Sequence, residues 1–247
     1  MFRKAIVREI STNYSKCIRD NTDVISMDKA RQQHSQYVNL LKELSIDVIS
    51  LPALEDNPDC CFVEDTVVIH KNNAYFPIMG ATTRREENEQ IKKTLKDYKN
   101  LIEGTIKSME GGDVLHFEKK LISGWTKRTS LEGIAEASKK LEIKINYVKD
   151  QSVVHLKSYV SKLSENCVLV TEKYQNHDVF NKFEKLIVPE AELYAANVLE
   201  VNGNIIMPKN YPKTFELLKN EGFDVYTLET SEFKTCEGAL TCLSILF

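Results

Sequence analysis

The run DTVVIHKNNAYFPIM, residues 65–79, puts two β-rich segments on either side of Asn72-Asn73, a turn-forming pair between apolar stretches that reads as a β-hairpin. After it, RREENEQIKKTLKDY at 84–98 is polar, with Ile91 and Leu95 four residues apart, and the short apolar run NLIEGTI follows; this is helix spacing and then a strand. One unit is therefore strand, strand, helix, strand. The order recurs along the chain. GDVLHFEKKLISGW (112–125) is followed by a helix around 129–141 and the strand KINYV; LKSYVSKLSENCVLVT (156–171) by a helix near 176–185 and the strand KLIVP. NVLEVNGNIIMP (197–208) turns at Asn202-Gly203 and leads into YPKTFELLKNEG, with Gly222 where a helix C-cap belongs, and then FDVYTLE. The remaining unit is split between the chain ends: FRKAIVRE, the helix MDKARQQHSQYVNLLKEL and IDVISLP at the start, CLSILF at the finish.

Five units of about 50 residues cannot each bury a sheet face alone. Closing them into a ring around a pseudo-fivefold axis removes the exposed sheet edges and gives an α/β propeller of ββαβ repeats, a single domain over 1–247. An ordinary two-domain α/β protein also fits the pattern.

Composition narrows the function. Lys and Arg number 33 against 36 Asp and Glu, with a pI near 6.0, so there is no basic field for nucleic acid to read. At 42% hydrophobic and 28% charged the chain is an ordinary globule rather than a disordered one. Charges at Arg3, Lys4, Arg8 and Glu9 interrupt any signal-peptide core, and no apolar window reaches the roughly 18 residues of a membrane span. The expectation is a cytoplasmic protein with no membrane partner. Its six cysteines then read as reduced thiols, and without CxxC, HxxxH or HExxH spacing there is no expected metal.

Reactive residues keep step with the repeat. Asp65, Glu110, His155, Asn197 and Cys242 stand near the starts of successive hairpins, at intervals of 45, 45, 42 and 45. In a ring they would meet at one end of the axis, and convergent polar groups in a concavity are the default active-site hypothesis. A cysteine, a histidine and a carboxylate that orients the histidine form a nucleophile, base and orienter set. Further carboxylates suit a planar guanidinium, which they grip by paired charge-assisted hydrogen bonds; PDCCFVED (58–65) offers Asp59, Glu64 and Asp65.

Taken together, PDCCFVED, MEGGDV (109–114), KRTS (127–130), HLKS (155–158) and the terminal LTC (240–242) resemble, in collinear order over nearly the whole chain, the dimethylarginine dimethylaminohydrolase family of the guanidino-modifying superfamily. The resemblance implies a five-bladed α/β propeller without a cofactor that hydrolyses a guanidinium C–N bond, most directly dimethylarginine to citrulline plus dimethylamine. It implies Cys242 as nucleophile, His155 as general acid and base, and Glu110 as the carboxylate orienting the histidine. Asp59 and Asp65 would hold the guanidinium with Glu64 in support, Arg84 and Arg128 the substrate carboxylate, Ser158 would sit beside the substrate's amino-acid end, and residues 10–27 would form a lid. A homodimer is expected by analogy alone. Where similar members carry Ser-x-Arg-Thr-Asn, this chain has Thr126-Lys127-Arg128-Thr129-Ser130 after its only tryptophan, Trp125. Two other functions compete. Arginine deiminases act on the unmethylated guanidinium but are usually longer, and ribosome anti-association factors share the ring without the Cys242, His155 and Glu110 set.

Overall fold

Residues 1–247 are described by a computed structural model, in which the repeated hairpins become five three-stranded sheets. The first sheet centres on β1 (Lys4–Arg8), which runs parallel to β2 (Asp47–Leu51) after helix α1 (Met27–Glu43). The second joins β3 (Val68–His70) antiparallel to β4 (Asn73–Ile78), and α2 (Glu89–Leu95) returns the chain to β5 (Asn100–Ser108) parallel to β4. The third repeats this with β6 (Val114–Phe117), β7 (Lys120–Trp125), α3 (Leu131–Lys140) and β8 (Ile145–Lys149). The fourth contains β9 (Val160–Lys162), β10 (Cys167–Thr171) and β11 (Glu184–Val188). The fifth contains β12 (Leu199–Val201), β13 (Asn204–Pro208), α4 (Pro212–Asn220) and β14 (Asp224–Leu228). After α5 (Ser231–Thr235) the chain ends in β15 (Ile245–Leu246), which pairs antiparallel with β1 and completes the first sheet. The fold is a five-bladed α/β propeller.

The core explains the ring. Successive residues of a strand point to opposite faces, and each face meets a different neighbouring blade. Ala5 and Val7 pack with Val201 and Ile206 of the fifth blade, while Ile6 between them packs with Ala74 and Phe76 of the second. Val114 packs toward the second blade and Leu115 toward the fourth, and Leu169 packs with Ile205 and Met207 of the fifth. Five apolar clusters thus fill the five gaps between blades. The inner strands line an open axial cavity of about 730 Å³, whose walls include Ile69, Leu115 and Leu199. No helix is long and apolar enough to cross a membrane.

Several local expectations change. The stretch 84–98 is not one helix: a 3-10 segment, Thr82–Asn88, precedes α2 and buries Arg84 and Glu87. The first hairpin turns at Lys71-Asn72, with Lys71 at φ 51°. Residues 176–185 form no α-helix. Only 172–183 separate β10 from β11, and they form two 3-10 turns, Glu172–Tyr174 and Asp178–Phe180, that bury Tyr174, Phe180 and Phe183. Asn176, His177 and Asp178 bring turn chemistry to a span too short for a regular helix and its connections. The cysteines are not all free thiols: Cys17 and Cys236 are joined, with Cα atoms 6.0 Å apart.

Candidate active site

Four blades enter the axis through a short 3-10 turn just before or at the inner strand: Val63–Thr66, Gly111–Asp113, Leu156–Ser158 and Thr241–Leu243. Asn197 stands at the corresponding place in the remaining blade, directly after the 3-10 segment Glu190–Ala196. These turns pack against one another at one end of the axis, so residues far apart in sequence converge.

His155 lies at the centre. Its Nε2 is 2.7 Å from Glu110 Oε2 and 3.7 Å from Asp65 Oδ1. Burial works against the imidazolium, but Asp65, the Glu110 hydrogen bond and Asp113 outweigh it and raise the histidine to about 9. Glu110 is fully buried; its Oε1 accepts from Ala81 N at 2.9 Å and lies 3.7 Å from Arg128 Nη1. Gly112 allows the approach, because a Cβ there would come within 2.5 Å of Asp65 Oδ1 and 2.9 Å of His155 Nδ1. The ligand-capable atoms of Asp65, Glu110 and His155 all lie within 4.8 Å of one another. A metal would have to take Nε2 from its 2.7 Å hydrogen bond to Glu110.

The acidic side of the site is laid out by Arg84. Its guanidinium is buried and donates from Nη1 to Asp65 Oδ2 (2.6 Å), from Nε to both Glu87 oxygens, and from Nη2 to Glu87 Oε2 and Phe62 O. Burial raises the Asp65 carboxyl, yet His155 and Arg84 hold it below its ordinary value. Asp65 keeps Oδ1 buried without a hydrogen-bond partner, and so does Glu64 with Oε2. The other Glu64 oxygen accepts from Lys157 Nζ at 2.6 Å. Burial pushes Glu64 up against the pull of Lys157. This ion pair also lines the axial cavity, which excludes His155, Asp65 and Cys242 from its walls; the pair is the floor between the cavity and the site.

Cys242 occupies the turn Thr241–Leu243, its backbone N donating to Ala239 O at 3.2 Å. Burial first, then the charges of Asp65 and Glu64, push its thiol well above the ordinary cysteine value. No hydrogen bond joins the sulfur to His155, and the pull of Lys157 is outweighed, so the thiol is held protonated.

The structure therefore brings Asp65, Glu110 and His155 into direct contact, with Arg84 and Arg128 against them and Cys242 within the field of Asp65 and Glu64. Arg84 faces Asp65 and Glu87 and has most of its donors engaged, whereas Arg128 is 21% exposed. Asp59 faces the segment that precedes α1, both its oxygens 3.2 Å from Ile18 N, and burial raises its carboxyl. Ser158 is exposed, and its hydroxyl makes no hydrogen bond to the cluster. Positioning groups went unassigned in the sequence. Asp113 accepts from Leu156 N (2.8 Å), Thr126 Oγ1 (2.8 Å) and Thr129 Oγ1 (2.6 Å). Asn197 donates from Nδ2 to Lys157 O and Thr241 Oγ1, both at 3.0 Å, and accepts from Thr241 N at 3.1 Å. Glu87 could have been found from its place three residues after Arg84 in RREE, the spacing of neighbours on one helical face. Lys157 carries no such local signal, since its partner Glu64 is 93 residues away.

Comparison with known proteins gives a consistent picture. Residues 7–202 match the model of the family described as N,N dimethylarginine dimethylhydrolase, eukaryotic. The chain is 33% identical over 228 residues to the N(G),N(G)-dimethylarginine dimethylaminohydrolase of Pseudomonas aeruginosa, covering 89% of each protein. It is 28% identical over 251 residues to that of Streptomyces coelicolor, covering 98% of this chain and 96% of the other. The structure superposes on a cysteine-to-serine mutant of the Pseudomonas aeruginosa enzyme, complexed with citrulline, with a TM-score of 0.97 and 29% identity over all of both chains. The N-terminal domain of ArgZ, a cyanobacterial arginine dihydrolase, shares the fold at a TM-score of 0.89 and 21% identity.

Proposed function

The chain belongs to the dimethylarginine dimethylaminohydrolase family, and from that premise we propose that it hydrolyses a guanidinium C–N bond of methylated arginine, releasing citrulline and dimethylamine from dimethylarginine. The observation that carries the proposal is a pair of buried carboxylate oxygens, Asp65 Oδ1 and Glu64 Oε2, without partners beside a thiol and an imidazole. Buried acceptors are nearly always satisfied, and a planar cation with several N–H donors satisfies both at once.

In this reading Asp65, with Glu64 beside it, takes the guanidinium, and Asp59 adds its charge from beneath the lid. Arg128 takes the substrate's α-carboxylate and Ser158 lies near its amino-acid end, whereas Arg84, which the resemblance also gave to the carboxylate, has its donors taken by Asp65 and Glu87 and instead holds Asp65 in place. The acids that hold the Cys242 thiol protonated are the ones the cation neutralises, so substrate binding reverses the field at sulfur and the thiol proton leaves to solvent. The thiolate adds to the guanidinium carbon. His155, already protonated and held by Glu110, gives its proton to the departing amine and then takes one from the water that resolves the thiouronium. Water supplies the new C=O oxygen, and the thiolate is regenerated. The whole 1–247 chain acts as one catalytic domain in the cytoplasm, and no cofactor enters the scheme.

The test is to incubate the protein separately with asymmetric dimethylarginine, monomethylarginine, arginine and agmatine, assaying citrulline or carbamoylputrescine. Citrulline from the methylated substrates, abolished in Cys242→Ser with binding retained, is the expected result. Turnover of agmatine alone would remove Arg128 from carboxylate binding, and near-full activity in Cys242→Ser would rule out the covalent route.

A further inference from the structure

The segment that covers the site carries one half of the Cys17–Cys236 pair. Residues 9–26 leave β1, pass through a 3-10 turn at Tyr14–Lys16 and return to α1. Along the way Ile18 N caps the Asp59 carboxylate at 3.2 Å. On the far side this strap leans on α5 and the turn after it: Asp20 N donates to Glu237 Oε1 (2.8 Å), Asn21 Nδ2 to Thr235 O (2.9 Å) and Ser26 N to Glu232 Oε2 (2.8 Å). Asp20, Glu237 and Val24 are exposed. Ile10, Tyr14 and Ile25 anchor the two ends of the strap in the core, and between them these exposed or part-buried hydrogen bonds, each a small net gain against water, hold residues 18–24 shut only weakly.

The cysteine pair differs. Cys17 immediately precedes Ile18, is 6% exposed, and meets Cys236, 2% exposed, across 219 residues of chain with the Cα atoms 6.0 Å apart, inside the range that a disulfide spans. Cys236 closes α5, and the chain then runs through Gly238 and Ala239 into the turn that bears Cys242. One covalent bond therefore fastens the strap over Asp59 to the segment leading to the nucleophile.

We propose that Cys17 and Cys236 form a thiol–disulfide exchange site, at which a small-molecule disulfide fastens the strap over the active site and a small thiol releases it. With the strap open, the Cys17 thiolate attacks the small disulfide, forms a mixed disulfide and expels one thiolate. The Cys236 thiolate then attacks the Cys17 sulfur and expels the second. Two protein thiols are oxidised, one small disulfide is reduced to two thiols, and the two protons pass to the expelled sulfurs. Because both sulfurs are buried when the strap is shut, the thiolates meet a small disulfide only from the open form, and a small thiol reaches the closed bond through local loosening of the exposed residues beside Cys17. Disulfides in reducing compartments serve mainly as transient or sensing bonds, and a substrate that must pass beneath the strap makes turnover depend on this one.

The effect on turnover rests on the proposed hydrolase activity; the crosslink and the accessibility of the strap do not. Purified protein is equilibrated with glutathione disulfide or with dithiothreitol and read three ways. A non-reducing peptide map should join Cys17 to Cys236 only in the oxidised sample. Tryptic cleavage at Lys16 and Arg19 should slow at least ten-fold on oxidation. Turnover of dimethylarginine should fall at least ten-fold and return with dithiothreitol, while Cys236→Ala and Cys17→Ser keep reduced-state activity in both conditions. A crosslink that leaves cleavage and turnover unchanged overturns the proposal, as does oxidative loss that persists in both variants, which would point to Cys242 as the oxidised group. No turnover even when reduced, with the crosslink and protection intact, would sink the hydrolase reading and leave the exchange site standing.

Discussion

At the scale of single residues the site is held by carboxylates that touch no reacting atom. Asp113 ties Leu156, the neighbour of His155, to Thr126 and Thr129, and Thr129 Oγ1 in turn accepts from Glu110 N at 3.1 Å. It is fully buried, and burial raises it to about 6, so near neutral pH it is a charged positioning residue in the field of His155. The acids facing that imidazole are Asp65, Glu110 and Asp113, with Arg128 opposed to them through Glu110. Asp113→Asn keeps the shape and removes one negative charge, which lowers the histidine. The basic limb of kcat/KM, expected near the His155 value of about 9, should move down by about one unit with KM little changed; an unmoved limb would leave Asp113 a purely structural brace. A second readout follows from linkage. His155 rises from 6.5 in the unfolded chain to about 9, so its stabilising contribution is complete below about pH 6.5 and is lost as the pH rises through about 9. Melting temperature followed from pH 6 to 10 should show that loss in the wild type and less of it in Asp113→Asn.

At the scale of elements, what could be read in the sequence was what local chemistry decides. Asn202 and Gly203 take φ of 53° and 93°, as a two-residue hairpin turn of left-handed residues requires, and Gly222, read as a helix C-cap, takes φ 84° just past α4. The helix expected at 176–185 failed because its length was set by its neighbours: β11 begins at Glu184, and Phe180 and Phe183 are drawn into the gap between the third and fourth blades. The break within 84–98 has a similar cause, since burying Arg84 against Asp65 tightens the first turns to 3-10. The Asn202-Gly203 turn gives a clean test of the local rule, because a Cβ on Gly203 would meet nothing within 4 Å and only the backbone conformation opposes it. Gly203→Ala should cost about 1–2 kcal/mol and lower the melting temperature by roughly 2–8 °C, with turnover unchanged. A melting temperature equal to the wild type would mean that the turn refolds into another type at no cost.

At the scale of the molecule, the ring was legible because its period is carried by reactive residues as well as by strands. Asp65, Glu110, His155 and Cys242 arrive at one end of the axis because each stands at the same place in its blade. The pairings that finish the site were not legible, since Lys157 with Glu64 and Cys17 with Cys236 are contacts across the axis or across the strap, and no spacing along the chain encodes them. Closure itself depends on very little chain. Ile245 and Leu246 pair with Ile6 and Ala5; Phe247 O accepts from Arg3 N and Lys4 N, and Phe247 N donates to Lys4 O. Ile245 is buried in the gap between the first and second blades, and Cys242 lies three residues before it. Deleting 245–247 removes a buried isoleucine, worth about 1.5–3 kcal/mol, and several hydrogen bonds at about 1 kcal/mol each. A loss on the order of 5 kcal/mol is comparable with the whole margin of a typical fold. The truncated protein should therefore melt more than 10 °C lower. Whatever folded fraction remains should turn over substrate at least ten-fold more slowly, because the turn bearing Cys242 has lost its anchor on β1. Deleting Phe247 alone keeps both strand pairs and should give an intermediate melting temperature with activity largely preserved. If the three-residue deletion instead melts like the wild type, the gap-filling clusters hold the ring without the terminal strand, and closure is a matter of packing between blades alone.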